Sequence, residues 1–129
     1  MSTLIEKTER LLKACEDCIT RHAHMREFDI EPDFFKDVKP YADEYHQLLD
    51  EWSAEVLSYI RKKNPKYVHP HQVEQMNEAM KQFIVQSFYA KTGKKRFILS
   101  INSAMYTLKT VKEALMEEGG SRVEGNERT

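Results

Sequence analysis

Apolar residues recur along this chain at alternating steps of four and three. The first series is Leu4, Thr8, Leu11, Cys15, Cys18, His22 and Met25, which lines one face of a helix of 3.6 residues per turn. Ile5, Leu12 and Ile19 widen that face. Thr3 and Glu6 have the spacing of a capping box, in which the hydroxyl accepts from a free backbone N–H and the carboxylate reaches back. The pattern predicts a helix from about Thr3 to Glu27. It lapses from Phe28 to Lys39, where Pro32 and Pro40 bracket Asp33-Phe34-Phe35-Lys36-Asp37-Val38, a stretch fit for a short turn of helix. A second series, Tyr41, Tyr45, Leu48, Trp52, Val56 and Tyr59, predicts a helix from Pro40 to Lys63. Proline suits its first position, and Asn64-Pro65 ends it. Val73, Met76, Met80, Phe83 and Ser87 predict a third helix from Pro70 to Lys91, with Gly93 as a left-handed stop. Phe97, Ile101, Ala104, Met105, Leu108, Val111 and Leu115 predict a fourth, from Lys94 to Glu118, closed by Gly119-Gly120.

Four amphipathic helices in 129 residues form one all-α domain over residues 1–118. Residues 119–129 are polar and have no apolar face, so they read as a disordered tail; a chain ending at Gly120 should melt within about a degree or two of the full chain. The second and third connections are short, which forces antiparallel neighbours. The expected architecture is a four-helix up-and-down bundle with a left-handed twist and a longer linker between helices one and two. Counting along the helices puts Cys15, Trp52, Met80 and Met105 in one central layer.

Charge narrows the function classes. The chain carries 20 basic and 21 acidic residues, a net charge of −1. That balance argues against a protein built to coat nucleic acid or an anionic membrane. The apolar runs are too short to span a bilayer, and the N-terminus has neither a basic nor an apolar signal region. Two cysteines at helical spacing fit a reducing cytosol, so the expected location is cytoplasmic.

Few residues suggest chemistry. Cys15-Glu16-Asp17-Cys18 is a C-x-x-C, but it falls mid-helix on the apolar seam. A redox motif needs a helix N-terminus to lower the thiol pKa, so the pair reads as reduced core cysteines. His22 and His46 should sit level on antiparallel helices. With Asp43 nearby they are weak candidates for a divalent cation or an acid–base pair. A di-iron bundle would need Glu-x-x-His on two helices, whereas Asp43-Glu44-Tyr45-His46 puts Asp in place of Glu and has no second copy. No metal and no other cofactor is expected. Lys94, Lys95 and Arg96 open helix four, where cations oppose the macrodipole. Either they hold an anion, or they face the acidic linker residues Asp29, Glu31, Asp33 and Asp37. On the second reading the linker lies across the bundle end with Phe34 and Phe35 pinned beneath it. Thr92-Gly93-Lys94-Lys95 is no P-loop, because Phe88 stands where glycine is required and no strand precedes it. Arg61, Lys62, Lys63 and Lys66 cluster at a helix C-terminus, which favours cations without any ligand. No nucleophile has a convincing base and orienting group.

Several short motifs together resemble a known family. They are Asp33-Phe34-Phe35 with Lys39-Pro40, Trp52, Pro65-Lys66-Tyr67-Val68-His69, Lys95-Arg96-Phe97, Tyr106-Thr107-Leu108 and Val111-Lys112. They resemble the YppE-like proteins of Bacillus-type bacteria, from helix one to about Met116. The resemblance implies a cytosolic four-helix bundle with no established activity, cofactor or partner, and it carries over no catalytic residue. The leading reading is a non-enzymatic interaction module that docks a protein partner, with Phe34 and Phe35 as the surface. The alternatives are a small metal- or ligand-binding enzyme at the His22/His46 end, and an anion- or nucleic-acid-binding bundle at Lys94, Lys95 and Arg96. The sequence does not specify an oligomeric state.

Overall fold

The structure, a computed structural model, describes residues 3–128, with side chains for residues 3–117. Four helices follow one another: α1 (Leu4–Phe28), α2 (Lys39–Lys63), α3 (Pro70–Gln86) and α4 (Lys94–Arg128). A π-helical turn, Phe34–Val38, leads into α2. Each helix packs on its sequence neighbours, and α4 closes the ring against α1. Contacts along each pair run in opposite order. Thr8 meets Trp52 while Arg21 meets Tyr41, and Glu9 meets Lys112 while His22 meets Phe97. The chain is therefore an up-and-down four-helix bundle. Among the described residues no helix is long and apolar enough to cross a membrane.

The core follows the apolar stripes. Thr8, Leu11, Cys15, Cys18, His22 and Met25 are buried on α1; Leu48, Trp52 and Val56 on α2; Val73, Met76, Met80 and Phe83 on α3; Phe97, Ile101, Ala104, Leu108 and Val111 on α4. Of the expected central layer, Cys15, Trp52 and Met80 are fully buried, and Met105 packs at the edge of the core. The capping box forms as read: the Glu6 N–H donates to Thr3 Oγ1 at 3.1 Å and the Thr3 N–H to Glu6 Oε1 at 2.8 Å.

Helix ends depart from the sequence reading in four places. Lys39 is the first residue of α2, so Pro40 takes the second position; the π-helical turn runs directly into the helix and carries its start back one residue. Helix α3 stops at Gln86 rather than Lys91. Beyond it Phe88, Tyr89 and Thr92 make tight backbone bonds to Val85, Gln86 and Tyr89, and Thr92 Oγ1 donates to the Gln86 carbonyl. Gly93 is not left-handed. It opens α4 by accepting from the Phe97 N–H, and the left-handed stops are Asp29 (φ 49°) and Asn64 (φ 47°). Short amide and carboxylate side chains tolerate that conformation better than other non-glycine residues do. Finally, helical backbone continues through Gly119-Gly120, since glycine weakens a helix by about 1 kcal/mol without forbidding it. The expectation of a dispensable tail falls on residues whose side chains lie outside the described part.

Candidate functional site

The bundle has two ends. One carries the α1–α2 linker and the α3–α4 loop; the other carries the α2–α3 loop. Most of the sequence candidates fall at the first end.

His22 is buried on the α1 seam, 2% exposed. Its Nε2 lies 2.9 Å from the Thr92 carbonyl, and its ring packs 4.3 Å from that of Phe97. A carbonyl only accepts, so Nε2 carries the proton. Burial lowers the His22 pKa below the usual histidine value. The Thr92 carbonyl opposes that shift, while Arg26 and Lys94 add to it. Arg26 itself donates to the Thr92 carbonyl at 3.1 Å. His22 thus locks the α3–α4 loop to α1 as a neutral donor.

This lock gives a pH prediction. The unfolded chain takes up the His22 proton at a higher pH than the folded chain does. The stability contribution is therefore complete above about pH 6.5. It declines as pH falls through that value, until the folded ring is protonated too. The melting temperature of the parent protein should drop between about pH 6.5 and 5 more steeply than that of a His22→Gln variant. Parallel curves for the two would show that His22 does not carry the effect.

His46 and Asp43 belong elsewhere. His46 Nε2 lies 3.1 Å from the Lys81 carbonyl on α3, and Asp43 is exposed and paired with Lys39 at 2.7 Å. The expected level placement of His22 and His46 therefore makes no shared site. Each ring is spent on a backbone carbonyl of a different element, and Asp43 points along its own helix. Among the described residues, no three His, Cys, Asp or Glu side chains come together as a metal site.

A half-buried arginine beside His22 escaped the sequence reading. The Arg21 guanidinium lies 4.3 Å from the ring centres of both Tyr41 and Phe88, a cation held between two aromatic faces. Its Nε donates to Ser87 Oγ at 2.9 Å and one terminal nitrogen reaches Cys18 Sγ at 3.6 Å. Burial pushes the Tyr41 hydroxyl up to about 12, against the pull of Arg21. This cluster ties α1, α2 and the end of α3 together. Its sequence signal is weak, because an arginine next to an apolar seam usually faces solvent.

Both cysteines are free and fully buried. Burial pushes the Cys15 and Cys18 thiols up, although Arg21 pulls Cys18 the other way. Thiolates are the reactive form. Labelling of the native protein at neutral pH should therefore run at least about a hundredfold slower than in urea, limited by opening of α1. Rapid native labelling would reveal a reactive thiol instead.

The linker overturns the expected closure of the bundle end. Phe35 is 75% exposed and Phe34 46%, with Phe28 at 60% and Ile30 at 36% close by in sequence. Neither Phe34 nor Phe35 is pinned beneath the linker. Among the described residues, Asp29, Glu31, Asp33 and Asp37 make no ion pair with Lys94, Lys95 or Arg96. Two of those carboxylates serve the linker itself: Asp33 Oδ1 accepts from the Lys36 N–H at 3.0 Å, and Asp37 Oδ2 from the Asp33 N–H at 2.9 Å. Val38, fully buried, anchors the turn. The topology brings the acidic and basic segments to one end without pairing them. Phe35→Ala should consequently change stability by less than about 0.5 kcal/mol, whereas Val38→Ala should cost about 1–2 kcal/mol. Urea melts of the two variants check this order.

Lys94, Lys95 and Arg96 are exposed at the start of α4. Arg96 borders a groove of about 360 Å³ shared with Gln82, Gln86, Thr92 and Ser100. A groove of about 480 Å³ opens at the opposite end of the bundle, where Tyr59, Lys66 and Tyr67 face Glu113 and Glu117. Its lining mixes both charges and selects no ligand class.

Comparison with known proteins settles the family. Residues 8–115 match the bacterial domain of unknown function DUF1798. The chain belongs to this family. A relative, uncharacterized protein YppE of Bacillus subtilis (strain 168), is 32% identical over 90% of this chain and 94% of that protein. The crystal structure of yppE from Bacillus subtilis superposes with a TM-score of 0.87 at 31% identity, over 90% of this chain and 94% of the other. A protein from Listeria innocua, whose function is also unknown, matches with a TM-score of 0.85 at 27% identity, over 90% and 93% of the two chains. The solved relatives share the four-helix fold, and neither the family nor these relatives carry an assigned function.

Proposed function

We propose that this protein is a non-enzymatic interaction module of the cytosol that docks a protein partner on its α1–α2 linker. The observation that carries the reading is the exposure of Phe35, 75%, on a turn that is itself well held. A full burial of each phenylalanine against the bundle would contribute about 1.5–3 kcal/mol. The chain forgoes that contribution at Phe34 and Phe35 while it caps the turn with Asp33, closes it with Asp37 and anchors it with Val38. A fixed turn that presents aromatic side chains binds with little ordering cost, and aromatic residues are enriched in the centres of interfaces. Four polar side chains elsewhere are committed to the fold: His22 and His46 to backbone carbonyls, Arg21 to Ser87, Trp52 to Thr8.

A photo-crosslinking side chain at position 35 tests the reading in lysate of the source bacterium. A discrete crosslinked protein is expected. Excess unlabelled parent protein should compete it away, and a Phe34→Ser/Phe35→Ser variant should not. Crosslinks that both competitors suppress equally, or that neither suppresses, would overturn it.

A further inference from the structure

We infer that the linker surface takes a cationic amphipathic segment, one that offers apolar side chains flanked by lysine or arginine. The inference rests on the docking role proposed above and names the chemistry of the partner. Residues 27–37 hold the carboxylates of Glu27, Asp29, Glu31, Asp33 and Asp37 against Lys36 alone, a net charge of −4. Every residue of that stretch is exposed except Pro32, which is half-buried. The exposed aromatic side chains Phe28, Phe34 and Phe35 thus belong to a strongly acidic stretch of the chain. Asp33 and Asp37 accept from backbone N–H groups, which fixes their positions. Lys39, next along the chain, is taken up by Asp43.

The charge discriminates among occupants. A second copy of this chain docking the same surface would set two segments of net charge −4 face to face, and like charges across an interface are costly. An anionic bilayer or a nucleic acid would be repelled for the same reason. A cationic segment gains long-range attraction on approach, then apolar burial on the phenylalanines. The basic run Lys94, Lys95 and Arg96 stands at the same end of the bundle and takes no part in this contact. Removing its charge should leave binding of a cationic segment undiminished.

The test uses the full chain and two synthetic peptides of about 18 residues, long enough to form a helix alone. One places leucine on one face and lysine on the other; the second replaces each lysine by glutamate. Binding is followed by fluorescence anisotropy and mapped by backbone amide shifts. The lysine peptide is expected to shift amides of residues 27–38. Its affinity should fall several-fold between about 0.05 and 0.3 M salt. It should drop about tenfold or more in Phe34→Ser/Phe35→Ser, and comparably in Asp29→Lys/Glu31→Lys, which keeps the aromatics. Lys94→Ala/Lys95→Ala should bind at least as tightly as the parent. Equal binding of the glutamate peptide at residues 27–38, or retained affinity in Asp29→Lys/Glu31→Lys, would overturn the cationic preference and leave the docking role standing. Shifts that fall elsewhere, or no loss in Phe34→Ser/Phe35→Ser, would overturn both.

Discussion

Trp52→Ala should destabilise the bundle by about 3–5 kcal/mol. The indole is fully buried between α1 and α2. Its Nε1–H donates to Thr8 Oγ1 at 2.8 Å, and the Thr8 hydroxyl donates in turn to the Leu4 carbonyl at 2.8 Å. Truncation removes the apolar contact, leaves a cavity among packed helices and strips Thr8 of its donor. Trp52→Phe separates these contributions: it keeps most of the volume and strands Thr8 Oγ1, a loss of about 1–3 kcal/mol. Urea melts with an unchanged denaturant dependence are the measurement. A loss below about 1 kcal/mol for Trp52→Ala would contradict the central role of the indole.

Phe97→Ala should cost about 3–5 kcal/mol as well, and it should also change how stability responds to pH. Phe97 is 2% exposed and packs on His22 at 4.3 Å and edge-on to Phe83 at 6.4 Å. Removing the ring opens the pocket that keeps water from His22. With less burial, the His22 pKa should rise toward the ordinary histidine value, and the acid-dependent stability loss assigned to His22 should shrink. A histidine titration by NMR reads this directly. An unchanged His22 pKa in Phe97→Ala would show that the burial lowering it does not depend on the Phe97 ring.

The linker shows where sequence patterning stops being informative. Phe34 and Phe35 are apolar residues between two prolines, with no periodic partner to assign them a face. Their expected burial rested on topology, which does bring the linker and Lys94 to one end. Whether a side chain at that end is covered depends on the path of the chain over the bundle, and Val38 takes the buried place instead. The same limit applies to charge. Asp33 and Asp37 find backbone N–H groups within their own turn, closer than any lysine of α4.

By itself the sequence determined the four helices, their buried faces and the capping box, because a 3.6-residue period states which side must leave water. Short connections then made the helices antiparallel neighbours. It also carried the family resemblance, through motifs spread from helix one to helix four. Tertiary structure alone decided how the polar residues on and beside those faces are used. His22 and His46 share a helix level by counting, yet each donates to a carbonyl on a different element. Arg21 becomes a stacked clamp because α2 and the end of α3 bring Tyr41 and Phe88 to its two faces. Helix α3 ends at Gln86 where Ser87 meets Arg21 and the loop closes on Thr92. Long polar side chains have many partners within reach, and the choice among them is made by distances that exist only once the helices have packed.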